Sequence, residues 1–222
     1  MKRSGAPDGN VLRTQRTVER ILAASLKLFN AEGEANVTTG MIADALNMSP
    51  GNLYYHFRNK EQIVEALFRR FEARMDVDPR PPADAARAIE DLWLYLHLAL
   101  EAIWEYRFVY RNLDDLLARN RRLRDVFNRI VDRKLAAFEA LCRNLVASGA
   151  MRAAPEEIRA LGRSVIVVAT YWLNFQSIRR RREDLSADDL GEGAYQVLSL
   201  VAPYLRGEAR AHLDALSGRY ID

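Results

Sequence analysis

The residues best suited to chemistry in this chain lie close together, in a stretch where small, polar and aromatic side chains follow one another. An asparagine amide such as that of Asn52 can pair with the edge of an adenine base. Tyrosine, threonine, serine and lysine side chains can donate to phosphate oxygens, and glycine lets a backbone approach a partner closely. This combination indicates a surface that contacts nucleic acid. The candidate contact residues are Thr39, Gly40, Ser49, Pro50, Gly51, Asn52, Tyr54, Tyr55, His56 and Lys60.

Two short helices joined by a tight turn, followed by the start of a third helix, would hold these side chains on one face. Ile42, Ala43, Leu46, Leu53 and Phe57 have the spacing of one small buried core beneath that face. The pattern predicts a helix-turn-helix, in which the second helix enters the major groove of DNA.

The ends of these helices carry residues that satisfy free backbone groups. We expect the hydroxyls of Thr38 and Ser49 to accept hydrogen bonds from the first N–H groups of the helices that follow. Asn47 occupies the turn, where a positive φ is usual and where Asn is tolerated best after Gly. Asn59 and Gln62 have the spacing of a capping box at the start of the next helix.

The order of these residues resembles the DNA-binding region of TetR-type regulators, which are similar to the tetracycline repressor. The resemblance rests on Thr38-Thr39, Ile42-Ala43, Ser49-Pro50-Gly51-Asn52-Leu53-Tyr54-Tyr55-His56-Phe57 and Asn59-Lys60. It covers about the first third of the chain at the level of motifs, and the rest only in length and helical layout. It implies that Tyr55 packs on bases or sugars while Tyr54 and His56 hold phosphates. Asn47 departs from the glycine more usual in the family, and Gly40 has no side chain that could reach a base.

Composition agrees with a folded, helical protein and excludes several other classes. The chain has 222 residues, of which 49% are hydrophobic and 28% charged. Its single cysteine, Cys142, excludes an intrachain disulfide and a thiolate zinc site, and its place on an apolar helix face predicts a buried structural thiol. The sequence has no catalytic motif, so we expect no enzyme activity, no cofactor and no metal.

Charge and hydropathy along the chain bear on its partners. Residues 1–27 hold six basic side chains against two acidic ones, which suits either a DNA-facing arm or, for Lys2 and Arg3, a solubilising tail. No secretory signal is visible, and the most apolar run, residues 165–175, is too short to span a bilayer. We expect a cytoplasmic protein with no membrane contact. The arginine-rich stretches 119–124 and 179–182 are interpreted as helix ends rather than nucleic-acid sites.

Helical periodicity continues to the C-terminus, so the predicted fold class is all-α. A first helix should end near Gly33, and the proline-rich stretch 78–82 should separate an N-terminal helix-turn-helix domain, 1–77, from a larger helical domain, 78–222. In the larger domain, a single short helix over 108–119 and a last major helix over 188–205 are expected, with other helices closed near Gly149 and opened by Pro155.

The aromatic-rich second domain is either a large solid core or a core that encloses a ligand cavity. His97, Asn112, Thr170, Asn174 and Gln176 interrupt its apolar stretches and would serve as polar groups in such a cavity. The predicted pocket residues are Trp93, His97, Trp104, Phe108, Tyr110, Tyr171, Trp172 and Phe175. Packing so many rings without a void is difficult, and a cavity is expected among Trp104, Phe108, Tyr110 and Trp172 in particular.

The apolarity of the helices near 156–180 and 188–205 on more than one face predicts a homodimer interface built from both. The resulting hypothesis is a ligand-responsive repressor, released from a palindromic operator in double-stranded DNA when an unknown, largely apolar small molecule binds the second domain. The alternative is an architectural DNA-binding factor controlled by a partner protein and without a small-molecule ligand. An enclosed cavity in the second domain would favour the first hypothesis.

Overall fold

The computed structural model describes residues 9–76, 85–180, 186 and 188–220. Contacts within the chain divide it into two compact units, Met1–Arg70 and Phe71–Asp222. The proline-rich stretch 78–82, on which the sequence-based domain boundary depends, lies outside the described residues. The division into domains 1–77 and 78–222 therefore stays a prediction.

Both units are helical in their described residues, as the sequence predicts. The α-helices are α1 Gly9–Glu32, α2 Thr39–Ala45, α3 Pro50–His56, α4 Lys60–Met75, α5 Ala85–Glu105, α6 Arg107–Arg111, α7 Leu113–Arg119, α8 Arg121–Ala147, α9 Pro155–Arg179, α10 Asp188–Val201 and α11 Gly207–Ser217. Short 3-10 turns span Glu34–Asn36, Ala202–Tyr204 and Gly218–Tyr220. Among the described residues, β pairing is confined to one bridge between Met151 and Leu205.

In the first unit, α1 supplies one wall of a core that also holds α2, α3 and the start of α4. Ile21 and Phe29 of α1 are fully buried, as are Ile63 and Phe68 of α4. The helix ends where expected, because Gly33 takes a positive φ of 85° and its N–H donates to the carbonyl of Phe29 at 3.0 Å.

Two expectations about the second unit are wrong. The helix expected over 108–119 is two helices, α6 and α7, because the backbone at Asn112 leaves the helical region at φ −132° and ψ 36°. The last major helix stops at Val201 rather than continuing to 205, since Pro203 has no N–H to donate and the chain tightens into a 3-10 turn. Both breaks occur inside runs whose apolar spacing continues across them.

A further helix, α11, was missed by the sequence analysis although its signal was present. Ala209, Leu213 and Leu216 recur at four and three residues and are all buried. The helix contacts α5 and α10. It therefore buries its apolar face against these two helices.

In the second unit, α9 lies between α8 on one side and α10 on the other. The approach to α10 is close because Gly193 has no side chain. A Cβ there would lie 2.7 Å from Cδ1 of Trp172, closer than packed atoms allow. The indole N–H of Trp172 donates to the carbonyl of Asp189 at 2.7 Å, which satisfies the polar group of the ring.

Charged groups join the same two helices at their connected ends. The guanidinium of Arg180 contacts Asp189 and Glu192, each at 3.1 Å, and the Asp189 side chain is fully buried. Gln176 donates a further hydrogen bond to Glu192. Arg180 therefore has a structural role at the end of α9, while Arg181 and Arg182 lie outside the described residues.

Candidate nucleic-acid interface and ligand cavity

The helix-turn-helix is built by the local interactions that the sequence predicts. The hydroxyl of Thr38 accepts a hydrogen bond from the N–H of Met41 at 3.2 Å, and that of Ser49 accepts from the N–H of Asn52 at 3.3 Å. Asn47 has a φ of 51° and is, within the described part of the chain, the one non-glycine residue with a positive φ. These contacts fix the angle at which α3 leaves α2.

The start of α4 uses a variant of the predicted capping box. The side-chain oxygen of Asn59 accepts from the N–H of Gln62 at 3.0 Å, as expected. The return bond goes from the N–H of Arg58, not that of Asn59, to the side-chain oxygen of Gln62, at 2.9 Å. The capping interaction therefore reaches back by one residue, to Arg58 in the loop before α4.

The two faces of α3 differ as a DNA-reading helix requires. Leu53 is fully buried against Ile42 and Ala43, which are also fully buried. The first turn, with Gly51 and Asn52, is exposed, and 78% of Tyr55 is open to solvent. Because an aromatic ring exposed to this degree contributes little to the fold of a monomer, it is available to a partner surface.

Tyr54 and His56 flank this ring and are held in place by neighbours. The hydroxyl of Tyr54 lies 3.0 Å from the hydroxyl of Thr39, so the first turn of α2 and the centre of α3 present their polar tips together. The half-buried ring of His56 meets Tyr55 edge to face, with 5.0 Å between centroids. These side chains therefore form one polar and aromatic surface.

The two glycines of this surface are not required by the packing of the chain itself. A Cβ added at Gly51 would meet no atom within 4 Å, and one at Gly40 would make only an ordinary 3.6 Å contact with the hydroxyl of Thr38. Neither glycine takes a positive φ. The absence of a side chain at Gly51 thus has no explanation inside the fold and suits a site where another molecule approaches the backbone.

Lys60 has an internal contact that the sequence analysis did not foresee. Its ammonium donates to the backbone carbonyl of Glu34 at 2.8 Å and lies 3.0 Å from the carboxylate of the same residue. Both side chains are largely buried. Lys60 therefore ties the start of α4 to the turn before α2, and its contact with a DNA phosphate stays a prediction.

The basic side chains of α1 that the structure describes are open to solvent, and their contact with DNA stays a prediction. Arg13, Arg16, Arg20 and Lys27 are all exposed. Lys2 and Arg3, the remaining basic residues of the predicted arm, lie outside the described residues.

The second unit contains a cavity of about 130 Å³ between α5, α8, α9 and neighbouring residues. A cavity of comparable size, about 150 Å³, holds one benzene ring. Its walls are apolar except for a few polar groups. The lining residues that matter below are Met75, Tyr95, Tyr110, Phe127, Ile130, Lys134, Phe138, Val165, Thr170 and Val197.

This cavity involves few of the residues that the sequence analysis predicted for a ligand pocket, so that pocket stays a prediction. Of the eight predicted pocket residues, Tyr110 alone lines it; Trp93, His97, Trp104, Phe108, Tyr171, Trp172 and Phe175 do not. Thr170, predicted as a polar group of the pocket, does line it, whereas the other four predicted polar groups do not. The lining instead consists mainly of aliphatic residues from long helices, which carry no distinctive pattern.

The remaining predicted pocket residues have other partners. Trp93 stacks on His97 with 5.4 Å between ring centroids, and Trp104 lies under the guanidinium of Arg107 at 4.6 Å. Phe108 is a fully buried core residue. The hydroxyl of Tyr171 donates to Asp114 at 3.3 Å. Trp172 packs against Gly193, as described above, while Phe175 is exposed.

Two lining residues bring polar groups that differ in character. Burial raises the pKa of the Tyr110 phenol, which therefore stays protonated and can donate or accept a hydrogen bond. Among the described lining residues, Lys134 is the one that carries a charge. It was not among the candidates, although it lies four residues after Ile130 and four before Phe138 and so shares their face of α8.

The last turn of α4 belongs to the second unit and is held there by ion pairs on two sides. Glu72 and Asp76 lie 3.5 Å and 2.8 Å from Arg129 and Arg133 of α8. On the other side, Arg74 lies 3.3 Å from Glu105 of α5. Met75, between these charged residues, lines the cavity.

Cys142 is buried as expected. Its side chain lies in the core of the second unit, where desolvation raises the pKa of the thiol to about 12. A thiol in this state is protonated near neutral pH.

One face of α9 exposes an apolar stripe. Val167, Tyr171, Phe175 and Ile178 follow one another at four, four and three residues and are all exposed, Ile178 to 83%. Such spacing places them along one side of the helix. None of the helices in the described part of the chain is both long and apolar enough to cross a bilayer. The same part contains no cluster of three His, Cys, Asp or Glu side chains that could hold a metal ion.

Comparison with solved structures gives the same fold over nearly the whole chain. A TetR-family transcriptional regulator from Marinobacter aquaeolei is 37% identical, with a TM-score of 0.79, and the match covers 92% of this chain and 98% of that one. A putative regulator from Saccharomonospora viridis, solved in complex with choline, is 20% identical with a TM-score of 0.65, covering 87% and 100% of the two chains. The second likeness shows the fold alone.

Sequence relatives match over shorter stretches. The regulator SrpR of Pseudomonas putida is 25% identical over 105 residues, which are 46% of this chain and 49% of SrpR. TcmR of Streptomyces glaucescens is 31% identical over 80 residues, 33% of this chain and 35% of TcmR. The chain thus spans about half the length of these relatives or less.

Two family profiles match adjacent parts of the chain. One, described as "Bacterial regulatory proteins, tetR family", matches residues 21–67, which contain the helix-turn-helix. The other, described as "TetR: Bacterial transcriptional repressor", matches residues 70–213 and so covers more than half of the chain. Both describe regulators rather than enzymes, in agreement with the lack of a catalytic motif. With its reading helix, its helical second unit and these two matches, the chain belongs to the TetR family of DNA-binding transcriptional regulators.

Proposed function

We propose that this regulator is a homodimeric repressor that leaves a palindromic operator when a small, largely apolar molecule binds the second unit. The observation that carries the proposal is the position of Met75. It is the last residue of α4, the helix that directly follows the reading helix in sequence, and it lines the cavity. A ligand in the cavity therefore contacts the helix that continues from the DNA-binding motif.

On DNA, the first turn of α3 would lie in the major groove. Asn52 is placed to pair with a base edge, and Tyr55 to pack on bases or sugars. Tyr54 and Thr39, whose hydroxyls are adjacent, would donate to phosphates together with His56. Ser49, Pro50, Gly51 and Gly40 would let the backbone approach closely.

Dimerisation would use the exposed stripe of α9, together with α10. Four apolar side chains aligned on one face of a long helix form a patch that a soluble protein covers with a partner. In α10, Val201 is fully buried within the protomer, so it cannot contribute to an interface.

Coupling would act through the last turn of α4. Its ion pairs with α8 and α5 hold that turn in one position, and a ligand that displaces Met75 would shift it. The two helix-turn-helix motifs of a dimer must lie one turn of the DNA helix, or a multiple of it, apart on the duplex. A small change in their separation therefore lowers operator affinity. By linkage, operator DNA lowers ligand affinity by the same factor.

The proposal is tested in two stages. Palindromic DNA is first selected from a random pool with the native protein, and affinity is then measured by fluorescence anisotropy for Tyr55→Ala and the matched variant Tyr55→Phe. Loss of specific binding in the first and its retention in the second supports the reading role. If both variants bind the selected DNA as tightly as the native protein, the DNA contact lies elsewhere.

The second stage measures ligand response with neutral probes, benzyl alcohol and indole. Each should raise the melting temperature as its concentration rises and lower the affinity for the selected DNA. If neither probe changes either quantity, the ligand-responsive function fails and regulation by a partner protein takes its place. The apolar cavity supports the ligand-responsive function, and the exposed stripe of α9 is the surface that the partner-protein alternative would use.

A further inference from the structure

Two hydroxyl-bearing residues at the cavity have no hydrogen bond from their side chains. Tyr110 and Thr170 both line it, and in the described part of the chain no hydrogen bond uses the hydroxyl of either residue. Tyr110 is only 2% exposed, so its hydroxyl does not turn to bulk water for a partner. Tyr95 and Lys134, the other described polar residues of the lining, already have interactions within the chain. The hydroxyls of Tyr110 and Thr170 are therefore the groups available to a ligand.

The state of Thr170 differs from that of the serines on the same helix. In α9, the hydroxyls of Ser164 and Ser177 each donate to a backbone carbonyl of the helix itself, at 3.1 Å and 2.8 Å. This is the usual partner of a hydroxyl inside a helix. Among the described residues, no carbonyl accepts from Thr170. Its hydroxyl is thus not engaged by its own helix, at the position where that helix lines the cavity.

The two residues lie at the same end of the cavity. The side-chain amide of Asn174 donates to the backbone carbonyl of Tyr110 at 3.1 Å and so holds α6 against α9. Asn174 follows Thr170 by four residues, which places both on the same face of α9. A polar group at this end of a bound ligand would therefore lie near both hydroxyls.

The chemistry of the two hydroxyls favours a ligand that accepts hydrogen bonds. Each hydroxyl carries one proton, and burial raises the pKa of the Tyr110 phenol, so that its proton stays in place. A ligand that fills the cavity without an acceptor excludes water and leaves both protons unpaired, which weakens binding. A carbonyl oxygen has two lone pairs and can accept from both hydroxyls. An uncharged carbonyl also loses less hydration on entering an apolar cavity than a carboxylate does.

We propose that the effector is an uncharged apolar carbonyl compound, an aryl or short alkyl ketone or ester. Its hydrocarbon part fills the cavity, and its carbonyl oxygen accepts hydrogen bonds from Tyr110 and Thr170. This inference rests on the proposed ligand-responsive function and names the chemical class of the ligand. Burial of hydrocarbon contributes similarly to every ligand of one shape, so the two hydroxyls set the preference.

The test compares acetophenone with α-methylstyrene, a probe of the same shape in which a CH2 group replaces the carbonyl oxygen. Affinity is measured by calorimetry and by melting temperature with the full-length native protein. Acetophenone should bind about tenfold more tightly than α-methylstyrene. If it binds no more tightly, while either of the two probes, benzyl alcohol or indole does bind, the proposed function stands and the assignment of a carbonyl compound is overturned. If none of the four binds, the ligand-responsive function itself fails.

Variants then assign the preference to the two hydroxyls. Tyr110→Phe and Thr170→Val each remove one hydroxyl and keep the shape of the side chain, so each should reduce the advantage of acetophenone and leave α-methylstyrene unchanged. Neither should lower the melting temperature of the free protein, because neither hydroxyl has a hydrogen bond to lose among the described residues. Tyr204→Phe, at a residue outside the described lining, is the control and should change nothing.

Two results with these variants would overturn the proposal. One is that both Tyr110→Phe and Thr170→Val keep the full advantage of acetophenone. The other is that Tyr110→Phe lowers the melting temperature of the free protein and leaves the advantage intact, since its hydroxyl would then have a structural role alone. Should one variant fail to fold, the affinity ratio of the two probes in the other decides.

Discussion

Replacement of Gly51 by alanine should stabilise the protein and yet weaken its binding to DNA. Gly51 lies in the first turn of α3, and a Cβ there has no neighbour within 4 Å. The added methyl group therefore creates no clash and no new contact in the free protein. Its effect on folding comes from the unfolded chain, which loses freedom, and amounts to about 0.4–1 kcal/mol. For a chain of this length that corresponds to a rise in melting temperature of about 1–4 °C.

On the operator the same methyl group would stand between the backbone of α3 and the DNA. We expect at least a tenfold loss of affinity, about 1.4 kcal/mol, measured by anisotropy with the selected palindrome. Gly218→Ala is the matched control, since a Cβ at Gly218 also meets nothing within 4 Å and its φ is −56°. That control should leave operator affinity unchanged. If Gly51→Ala binds the operator as tightly as the native protein, the backbone at this position does not approach DNA and the orientation given to α3 is wrong.

Three further predictions concern the second unit. Ile178→Glu should dissociate the dimer, because the new carboxylate is solvated in the protomer but would be buried without a counter-charge at the interface. Val146→Glu, at an exposed position of α8, is the control and should leave the dimer intact. If Ile178→Glu still sediments as a dimer, the α9 stripe is not the interface. Asp76→Asn should change the free energy of unfolding by less than about 1 kcal/mol, because its ion pair with Arg133 is half exposed. The same variant should alter the effect of a ligand on operator affinity. Asp214→Asn, at another surface ion pair, is the control and should leave that effect unchanged. Cys142 should resist alkylation by iodoacetamide at pH 8 until the protein unfolds, and rapid alkylation of the native protein would contradict its burial. Because burial raises the pKa of this thiol from 9.0 to about 12, its contribution to stability should be complete below pH 9 and should decline as the pH rises toward 12.

The helix-turn-helix of the first unit could be derived in detail because its signals are local. Each capping residue acts on a group three residues away, and the φ of Asn47 depends only on its own turn. The side-chain types at these positions have few other uses, so the pattern is specific. Lys60 shows where this reasoning stops, because its partner Glu34 lies 26 residues away and nothing in the spacing connects the two.

The cavity could not be located in the same way. A void forms where side chains from several helices fail to fill the space between them, and that depends on how the helices pack. Large rings were taken as its markers, but Trp172 fills the groove over Gly193 and Phe108 completes the core. Only Tyr110 and Thr170 of the predicted groups reach the cavity. The better signal was a charged residue in an apolar register, Lys134 between Ile130 and Phe138.

The strengths of the contacts around the cavity indicate which wall yields to a ligand. On one side, α9 and α10 are joined by the Trp172 hydrogen bond to Asp189 and by the pairing of Arg180 with a fully buried carboxylate. Because the side chain of Asp189 is fully buried, loss of Arg180 would leave that carboxylate without a counter-charge, which costs more than loss of a pair between exposed groups. On the other side, the last turn of α4 is held by partly exposed ion pairs such as Asp76 with Arg133, worth about 1 kcal/mol or less each. We therefore expect a ligand that needs more room to displace Met75 and the last turn of α4 before it separates α9 from α10. The helices of the proposed dimer interface would then stay in place while α4, which follows α3 in the chain, moves.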